Sequence, residues 1–582
     1  MRIGCLWTEN ETGDGARLRK VRDNPNMHMN EPAPAPVSPV ADLPSLLDPV
    51  IAAVEREGER LAAEFFRKGG PRGRHSSAPV DLEMEDALRA ALQGLVPCRF
   101  VGEESGESAA PDGASAAKLS DWVWLVDPHD GTYEFLRGRR GSAVSVALLR
   151  AGVPVLAVVH SPLAPDVGRD TIAWVEGGAG LVRNGRPIVV DLARRRLDQG
   201  ERVLASASAA YRPRVWTRAV APADYVALPS IAYRLARVAA GDAIATLTVH
   251  PVNEYDIAAG YALVRAAGGV VMDAAGLPLM LKGEVEGKVS GCIAGAPAAV
   301  TALASFDWKA LDQESRAAAR VDTMTERVED EARLARAQGA LLGMVLGDGA
   351  AKVLRLHPAK QTVLRRARAL LRGDASGVQS EAGGNAGMLL GVLPLALRAS
   401  RDWQAAATRA RAAARLAGGA EACVETAAAC AAALALGVAG ASAGRMLRGA
   451  LDASADETLR TALRAAASGE RPEQALLAGG TDPHALAQNA FFQLLHAASA
   501  DAAAADTARA GGETDLNAAL AGALYGAVMG RKAWAPGDIL RALACRPMPA
   551  DSTPLAEVMQ AWPDDLLELA EALIGAGTAA AT

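Results

Sequence analysis

The chain has 582 residues, with 67 Asp and Glu against 61 Lys and Arg for a formal net charge of −6, and is 50% hydrophobic but only 4% aromatic. At about 100–200 residues per domain, this length calls for two to four units, each able to bury a core. Mild acidity excludes a general nucleic-acid surface, which needs a basic stripe to release phosphate counterions, and so few rings exclude a stacking platform. Alanine and the aliphatics must build the cores, which favours helix.

Residues 1–44 open with a charged, irregular stretch and become Pro-rich, without the apolar core of a signal peptide, and are expected to be a disordered lead-in. Met29, just ahead of the Pro and Ala run, is an alternative start. From 46 to 66, Leu46, Leu47, Val50, Ile51, Val54, Leu61 and Phe65 recur at helical spacing. Short apolar runs at 122–126, 143–149 and 153–159 predict strands. Asn184-Gly185 between apolar and basic flanks predicts a type I′ hairpin, and 231–240 and 257–267 return to helical spacing.

After 306 the character changes. Charge is dense from 312 to 336, with Arg327/Glu331 and Glu329/Arg333 spaced i,i+4 for one helix. Beyond 339, Ala, Leu and Arg at helical spacing dominate. Residues 426–444 carry no charge, but Ala and Gly give them little transfer energy into lipid, so a buried helix is expected. The predicted organisation is an α/β domain of the α+β layered kind over 45–307, a linker over 308–324 and an all-α domain over 325–582.

Cys5, Cys98, Cys292, Cys423, Cys430 and Cys545 are scattered with no C-x-x-C pair, so neither a disulfide framework nor a zinc site is expected, and a reducing, cytoplasmic setting fits. Cys423 and Cys430 read as core packing. The arginine groups 194–196 and Arg365, Arg366 and Arg368 read as solvated faces, and His484 and His496 as structural.

Three carboxylate groupings stand out in the first half: Glu103 and Glu104 after apolar Phe100-Val101, Asp127-Pro128-His129-Asp130-Gly131-Thr132 after a strand, and Asp256 opening a helix. Carboxylates at strand ends and helix starts, with no histidine cluster, suit a hard cation such as Mg²⁺. In Asp-Pro-X-Asp the proline fixes φ, so both carboxylates and an intervening carbonyl can converge. An Asx turn and an N-cap explain Asp127 and Asp130 equally well when the hexapeptide stands alone.

The stretch WLVDPHDGTYEF resembles the signature of the inositol monophosphatase superfamily, the lithium-sensitive Mg²⁺-dependent phosphatases. GEESG upstream and EYDIAAGYALVRAAGG downstream match that family's other two motifs in order. The resemblance implies two or three Mg²⁺ ions held by Glu103, Asp127, the His129 carbonyl, Asp130 and Asp256. Gly131 and Thr132 would bind phosphate through backbone amides at a helix N-terminus. Thr132 and Asp81 would orient the attacking water, with Glu103 beside them as a catalytic carboxylate. Where the family keeps an inositol-binding glutamate this chain has Thr248, and Arg234 in SIAYRLARVAAG stands where the branch acting on 3′-phosphoadenosine 5′-phosphate has a basic residue. A nucleotide bisphosphate is therefore the expected substrate, with Arg234 gripping a second phosphate or, alternatively, lying on a solvated helix face. Inositol phosphate is the alternative substrate.

GALLGMVLGDGAA, with Asp348, and GGETDLNAALAGALYGAVMG, with Glu513 and Asp515, resemble the ADP-ribosylglycohydrolase family, an all-α fold that uses two Mg²⁺ ions. The departures are a missing Thr-Asp-Asp-Thr quartet, Glu513 for an aspartate, Leu516 for a threonine, and Gly391 where an arginine is usual. This half is expected to have lost dinuclear chemistry and to serve as scaffold, oligomerisation unit or nucleotide-binding module; Asp348, Glu513 and Asp515 are the residues that would hold metal if it had not. A bifunctional phosphatase and glycohydrolase, and a non-enzymatic nucleotide-binding protein, are the competing readings. The resemblances imply a small phosphorylated partner; the composition points to no membrane, and a homodimer is a further expectation.

Overall fold

The computed structural model describes residues 42–110, 119–284, 287–313, 327–347, 354, 356–373, 384–474, 482–510, 514–547 and 554–576. Helix α1 (Leu47–Phe65) buries Val50, Val54, Leu61 and Phe65 on one face, at the helical spacing read from the sequence. Helix α2 (Pro79–Leu95) begins with Pro at its first position, where a missing N–H costs nothing, and carries Asp81 in its first turn.

Both helices lie against an eight-stranded sheet of β1 (Arg99–Gly102), β2 (Gly106–Ser108), β3 (Trp122–Asp130), β4 (Ala143–Arg150), β5 (Val153–Ala164), β6 (Gly168–Val175), β7 (Leu181–Arg183) and β8 (Arg186–Ile188). Its order is β2-β1-β3-β4-β5-β6-β7-β8, antiparallel except for β1 with β3. The predicted turn joins β7 to β8, with Asn184 at φ 50° and Gly185 at φ 74°, as a type I′ turn requires. In β3, residues Trp122 through His129 are all buried without alternation, because both faces of the sheet are covered.

A short helix α3 (Thr132–Leu136) follows β3 directly. The second sheet takes β9 (Arg202–Ser206), β10 (Asp224–Leu228), β11 (Ala245–Thr248), β13 (Val270–Met272) and β15 (Cys292–Gly295) in the order β10-β9-β11-β15-β13, while β12 (Val252–Asn253) pairs with β14 (Lys288–Val289). Helix α4 (Pro213–Val220) packs on β10, and α7 (Pro297–Ala304) on β13 and β15. Helices α5 (Ile231–Ala239) and α6 (Glu254–Ala266) are sandwiched between the two sheets. The N-terminal half is thus layered α/β.

Past residue 327 the described residues are helical, without strands. Helix α8 (Glu331–Leu346) pairs with the helix Thr514–Met529 through glycines four apart on each: Gly343 lies on Gly522 and Gly339 on Gly526, backbone against backbone. The helix Glu421–Val438 is long and apolar enough to cross a membrane by composition, but 83% of that window is buried within the protein, and Cys423 and Cys430 are both in its core. Helix Pro536–Ala544 packs on β9 and β10, and the apolar interior runs unbroken from the second sheet into these helices.

Two charge expectations are corrected. Arg327 and Glu329 precede α8, so no i,i+4 helix pairing forms; Arg327 lies 5.0 Å over the Phe65 ring, and Glu331 pairs with Arg531. Arg368 is not on a solvated face but 1% exposed, donating to the Trp562 carbonyl at 2.7 Å and pairing with Asp565.

Candidate active site

A one-residue bulge shapes the centre of the site. Asp127 pairs with Ser145 and Asp130 with Ala143, so three steps on β3 match two on β4. In a flat strand, residues three apart face opposite ways; the extra residue between them, in a stretch whose proline has no N–H to give the ladder, returns both carboxylates to one face. Gly131 then turns the chain at φ 106°, and a Cβ there would stand 3.3 Å from Ser142.

Each of the three aspartates is held by donors on one oxygen, leaving the second for other work. Asp127 Oδ1 accepts from the His129 N–H at 2.8 Å. Asp130 Oδ2 accepts from Ser230 Oγ at 2.6 Å and Ala232 N–H at 2.7 Å, at the start of α5. Asp256 Oδ2 accepts from the Asn253 N–H at 3.0 Å, in the first turn of α6. Glu103 sits in the turn after β1, with its carboxyl beside that of Asp127.

Loss of water raises all four, and repulsion from neighbouring carboxylates adds to it at Asp127, Asp256 and Glu103. The Asp127 and Asp256 carboxyls are pushed well above the usual range, and Asp130 is raised despite its hydrogen bonds and the nearby Arg234. Glu103 is pushed up to about 7 by desolvation and by Glu104, Asp130 and Asp81. Among the described residues no three His, Cys, Asp or Glu side chains stand in a closed metal-holding arrangement. The donor chemistry nevertheless fits a hard divalent cation: clustered, oriented carboxylates whose excess negative charge one lone arginine does not offset.

Asp81 joins the group from α2. Its Oδ2 accepts from the Ala78 N–H at 3.1 Å and lies 3.5 Å from Thr132 Oγ1, while Oδ1 meets His129 Nδ1 at 2.6 Å. Thr132 Oγ1 also donates to the His129 carbonyl at 2.8 Å. The His129 ring is buried edge-on against Phe135, with Nε2 lacking a partner.

Sequence reasoning missed three contributors. Glu85, one turn after Asp81 on α2, is buried and accepts from the Glu104 and Ser105 N–H groups at 2.8 and 2.9 Å, holding the turn that carries Glu103. The i,i+4 spacing of Asp81 and Glu85 was the available signal. Ser230, the residue just before the predicted helix at 231, supports Asp130. The His129 side chain, considered only for its carbonyl, buttresses Asp81.

Arg234 is 1% exposed, so the solvated-face alternative does not hold. Its Nη1 donates to the Leu228 carbonyl at 2.9 Å and Nη2 to Thr248 Oγ1 at 2.7 Å, with Nε buried and unpartnered. Burial pulls the guanidinium down to about 10. The two positions singled out for substrate choice therefore touch.

In the second half, Asp348 and Glu513 lie outside the described residues. Asp515 is in the first turn of Thr514–Met529, and Gly347 packs against Ala518 one turn further on. A cavity of about 250 Å³ is lined by Arg366, Asn385, Gly391 and Gly419 among others. Arg366 Nη1 donates to the Gly391 carbonyl at 3.1 Å and occupies the space a side chain at 391 would take, so it is half-buried rather than solvated.

Comparison with known proteins matches two families to overlapping stretches of the chain. The inositol monophosphatase family matches residues 52–310, and ADP-ribosylglycohydrolase matches residues 267–580. An inositol-1-monophosphatase of Mesorhizobium japonicum is 30% identical over 257 residues, 39% of this chain and 85% of the relative. The 3′(2′),5′-bisphosphate nucleotidase CysQ of Shigella flexneri is 32% identical over 206 residues, 34% of this chain and 77% of the relative. The crystal structure of the extragenic suppressor protein SuhB from Bartonella henselae is 25% identical, with a TM-score of 0.36, covering 46% of this chain and 99% of that one. By the family matches and the sequence relatives, the chain belongs to the inositol monophosphatase family in its N-terminal half and to the ADP-ribosylglycohydrolase family in its C-terminal half.

Proposed function

We propose that the N-terminal half is a Mg²⁺-dependent phosphomonoesterase acting on a nucleotide bisphosphate such as 3′-phosphoadenosine 5′-phosphate, in a reducing, cytoplasmic setting. The observation that carries the phosphatase reading is the Thr132 hydroxyl, 3.5 Å from Asp81 at the edge of the carboxylate cluster. Glu103, Asp127, Asp130, Asp256 and the His129 carbonyl would hold the metal. When bound, Mg²⁺ supplies charge neutralisation at the phosphoryl group and a more acidic attacking water. Thr132 and Asp81 orient that water by accepting its hydrogens, and the amides of Gly131 and Thr132 face the phosphate at the start of α3. Most of the rate then comes from positioning and preorganised charge.

Preference for a bisphosphate over inositol phosphate is supported by Thr248, which offers no carboxylate to a sugar hydroxyl, and by Arg234, which places positive charge directly behind it. Arg234 reaches the substrate side through Thr248, whose hydroxyl accepts from Nη2 at 2.7 Å. The C-terminal half we read as a scaffold without dinuclear chemistry.

Phosphate release from a panel of sugar phosphates and nucleotide bisphosphates, with Mg²⁺ and with added Li⁺, tests this. The expected result is release inhibited by Li⁺, with kcat/KM highest for the bisphosphate and lowered selectively for it by Arg234→Met. A clear preference for inositol phosphate would reverse the substrate assignment, and no release from any ester would leave the nucleotide-binding reading.

A further inference from the structure

The segment 131–142 leaves the first sheet at Asp130 and returns at Ala143, which pair across β3 and β4. It starts with Gly131 and Thr132 and closes against them, Ser142 lying beside Gly131. Near its end is Arg140, 7% exposed, whose guanidinium reaches into the C-terminal half. Nε donates to Glu571 Oε2 at 3.0 Å, and Nη2 donates to Glu571 Oε1 at 2.9 Å and to the Val328 carbonyl at 3.0 Å. Glu571, 1% exposed on the helix Leu566–Gly575, also accepts from the Val328 N–H at 2.9 Å. The rings of Phe65 and Phe66, at the end of α1, lie 5.5 and 5.3 Å from the same guanidinium.

A bidentate arginine–carboxylate pair fixes a plane as well as a distance, and burial beside two aromatic rings sharpens both. The neighbouring turn is held from the same half: Gln338 Nε2 donates to the Pro165 carbonyl at 3.4 Å, and Pro165 backs Gly141. A buried ion pair is weak evidence for stability, since apolar residues of like volume often serve as well. A fixed position for the chain that carries it is what such substitution would not reproduce.

We propose that Arg140 and Glu571 are positioning residues through which the glycohydrolase-like half holds segment 131–142, and with it Gly131 and Thr132, in the geometry that phosphoryl transfer needs. The inference rests on the phosphatase reading and gives the second half a role in that site. The test uses the full chain with Mg²⁺ as wild type, Arg140→Leu, Glu571→Leu and the double variant. Arg140→Leu leaves Glu571 buried without its guanidinium, and Glu571→Leu leaves Arg140 only the more distant Glu331 carboxylate at 3.7 Å. Both should melt lower, and the double should recover most of the loss. If the pair positions the site, kcat stays down by about tenfold or more in the recovered double variant with KM little changed, and the amides of 131–142 exchange hydrogen faster than in wild type while those of β9 do not. Wild-type kcat in the folded double variant, or unchanged exchange in 131–142, would overturn the proposal. Absence of phosphate release by wild type is a separate failure, of the phosphatase reading, and the exchange result then decides whether the segment is held.

Discussion

Thr132 Oγ1 lies 2.8 Å from the His129 carbonyl and 3.5 Å from Asp81 Oδ2, so one hydroxyl faces both an oxygen proposed as a metal ligand and the carboxylate proposed to orient water. Thr132→Val keeps the shape and removes the hydroxyl. The expected outcome is a fall in kcat of about 10²–10⁴-fold with KM within a few-fold, read by steady-state phosphate release. Asp81→Asn should match it, and the double variant should be little worse, because the two act as one unit.

The carboxylate cluster makes stability depend on pH and metal together. Glu103, with an ordinary value of 4.5, is raised to about 7 in the metal-free fold, and Asp127, Asp130 and Asp256 are raised as well. For an acid raised on folding, the folded state binds more protons than the unfolded one in the window between the two values, so its contribution is present at low pH and lost as pH rises through the folded value. In EDTA the contribution of Glu103 should therefore fall from about pH 4.5 to 7. Mg²⁺, binding the ionised form, should raise the melting temperature little at pH 5 and clearly at pH 8. At 100 times its dissociation constant the gain is about 2.7 kcal/mol. Asp127→Asn should flatten the difference between the Mg²⁺ and EDTA curves, measured by differential scanning calorimetry.

Contact between α8 and Thr514–Met529 leaves no room for a methyl group. A Cβ on Gly343 would run into the Gly522 carbonyl, and one on Gly526 into that of Gly339. Gly343→Ala is expected to destabilise by about 1–3 kcal/mol despite the better helix propensity of alanine. Gly444→Ala, in a helix where the added Cβ meets nothing, should be neutral or stabilising by up to about 1 kcal/mol. Urea unfolding of the two variants checks the contrast.

Asp515 opens the helix that carries the second half's metal-loop resemblance. If that half is a scaffold, Asp515→Ala leaves phosphate release unchanged, and the wild type frees no ADP-ribose from arginine or serine conjugates. Mg²⁺-dependent release that Asp515→Ala abolishes would establish a bifunctional enzyme instead.

Much of the site was legible because its motifs are local. Asp127, Asp130, Gly131 and Thr132 follow one another at a strand end, and the apolar runs beside them are strands whose hydrophobicity needs no partner to be seen. Asp256 in a first turn and Asn184-Gly185 in a hairpin are likewise short-range patterns. The i,i+4 pairing at Arg327 and Glu331 was misread because helical spacing says nothing of where a helix begins, and Phe65 and Arg531 offered these charges better partners. Arg368 was misread because burial of an arginine depends on carbonyls far away in the chain.

By itself the sequence determined the two halves' classes, the carboxylate and glycine positions, and the family resemblances, since each is carried by composition or by residues close along the chain. Only the tertiary structure decided that a bulge turns Asp127 and Asp130 to one face, that Glu85 and Ser230 hold their neighbours, that Arg234 lies beneath Thr248, and that Glu571 grips Arg140 from 431 residues away. Hydrogen bonds and ion pairs act over about 3 Å, and which distant groups come that close is set by how helices and sheets pack, which no local pattern encodes.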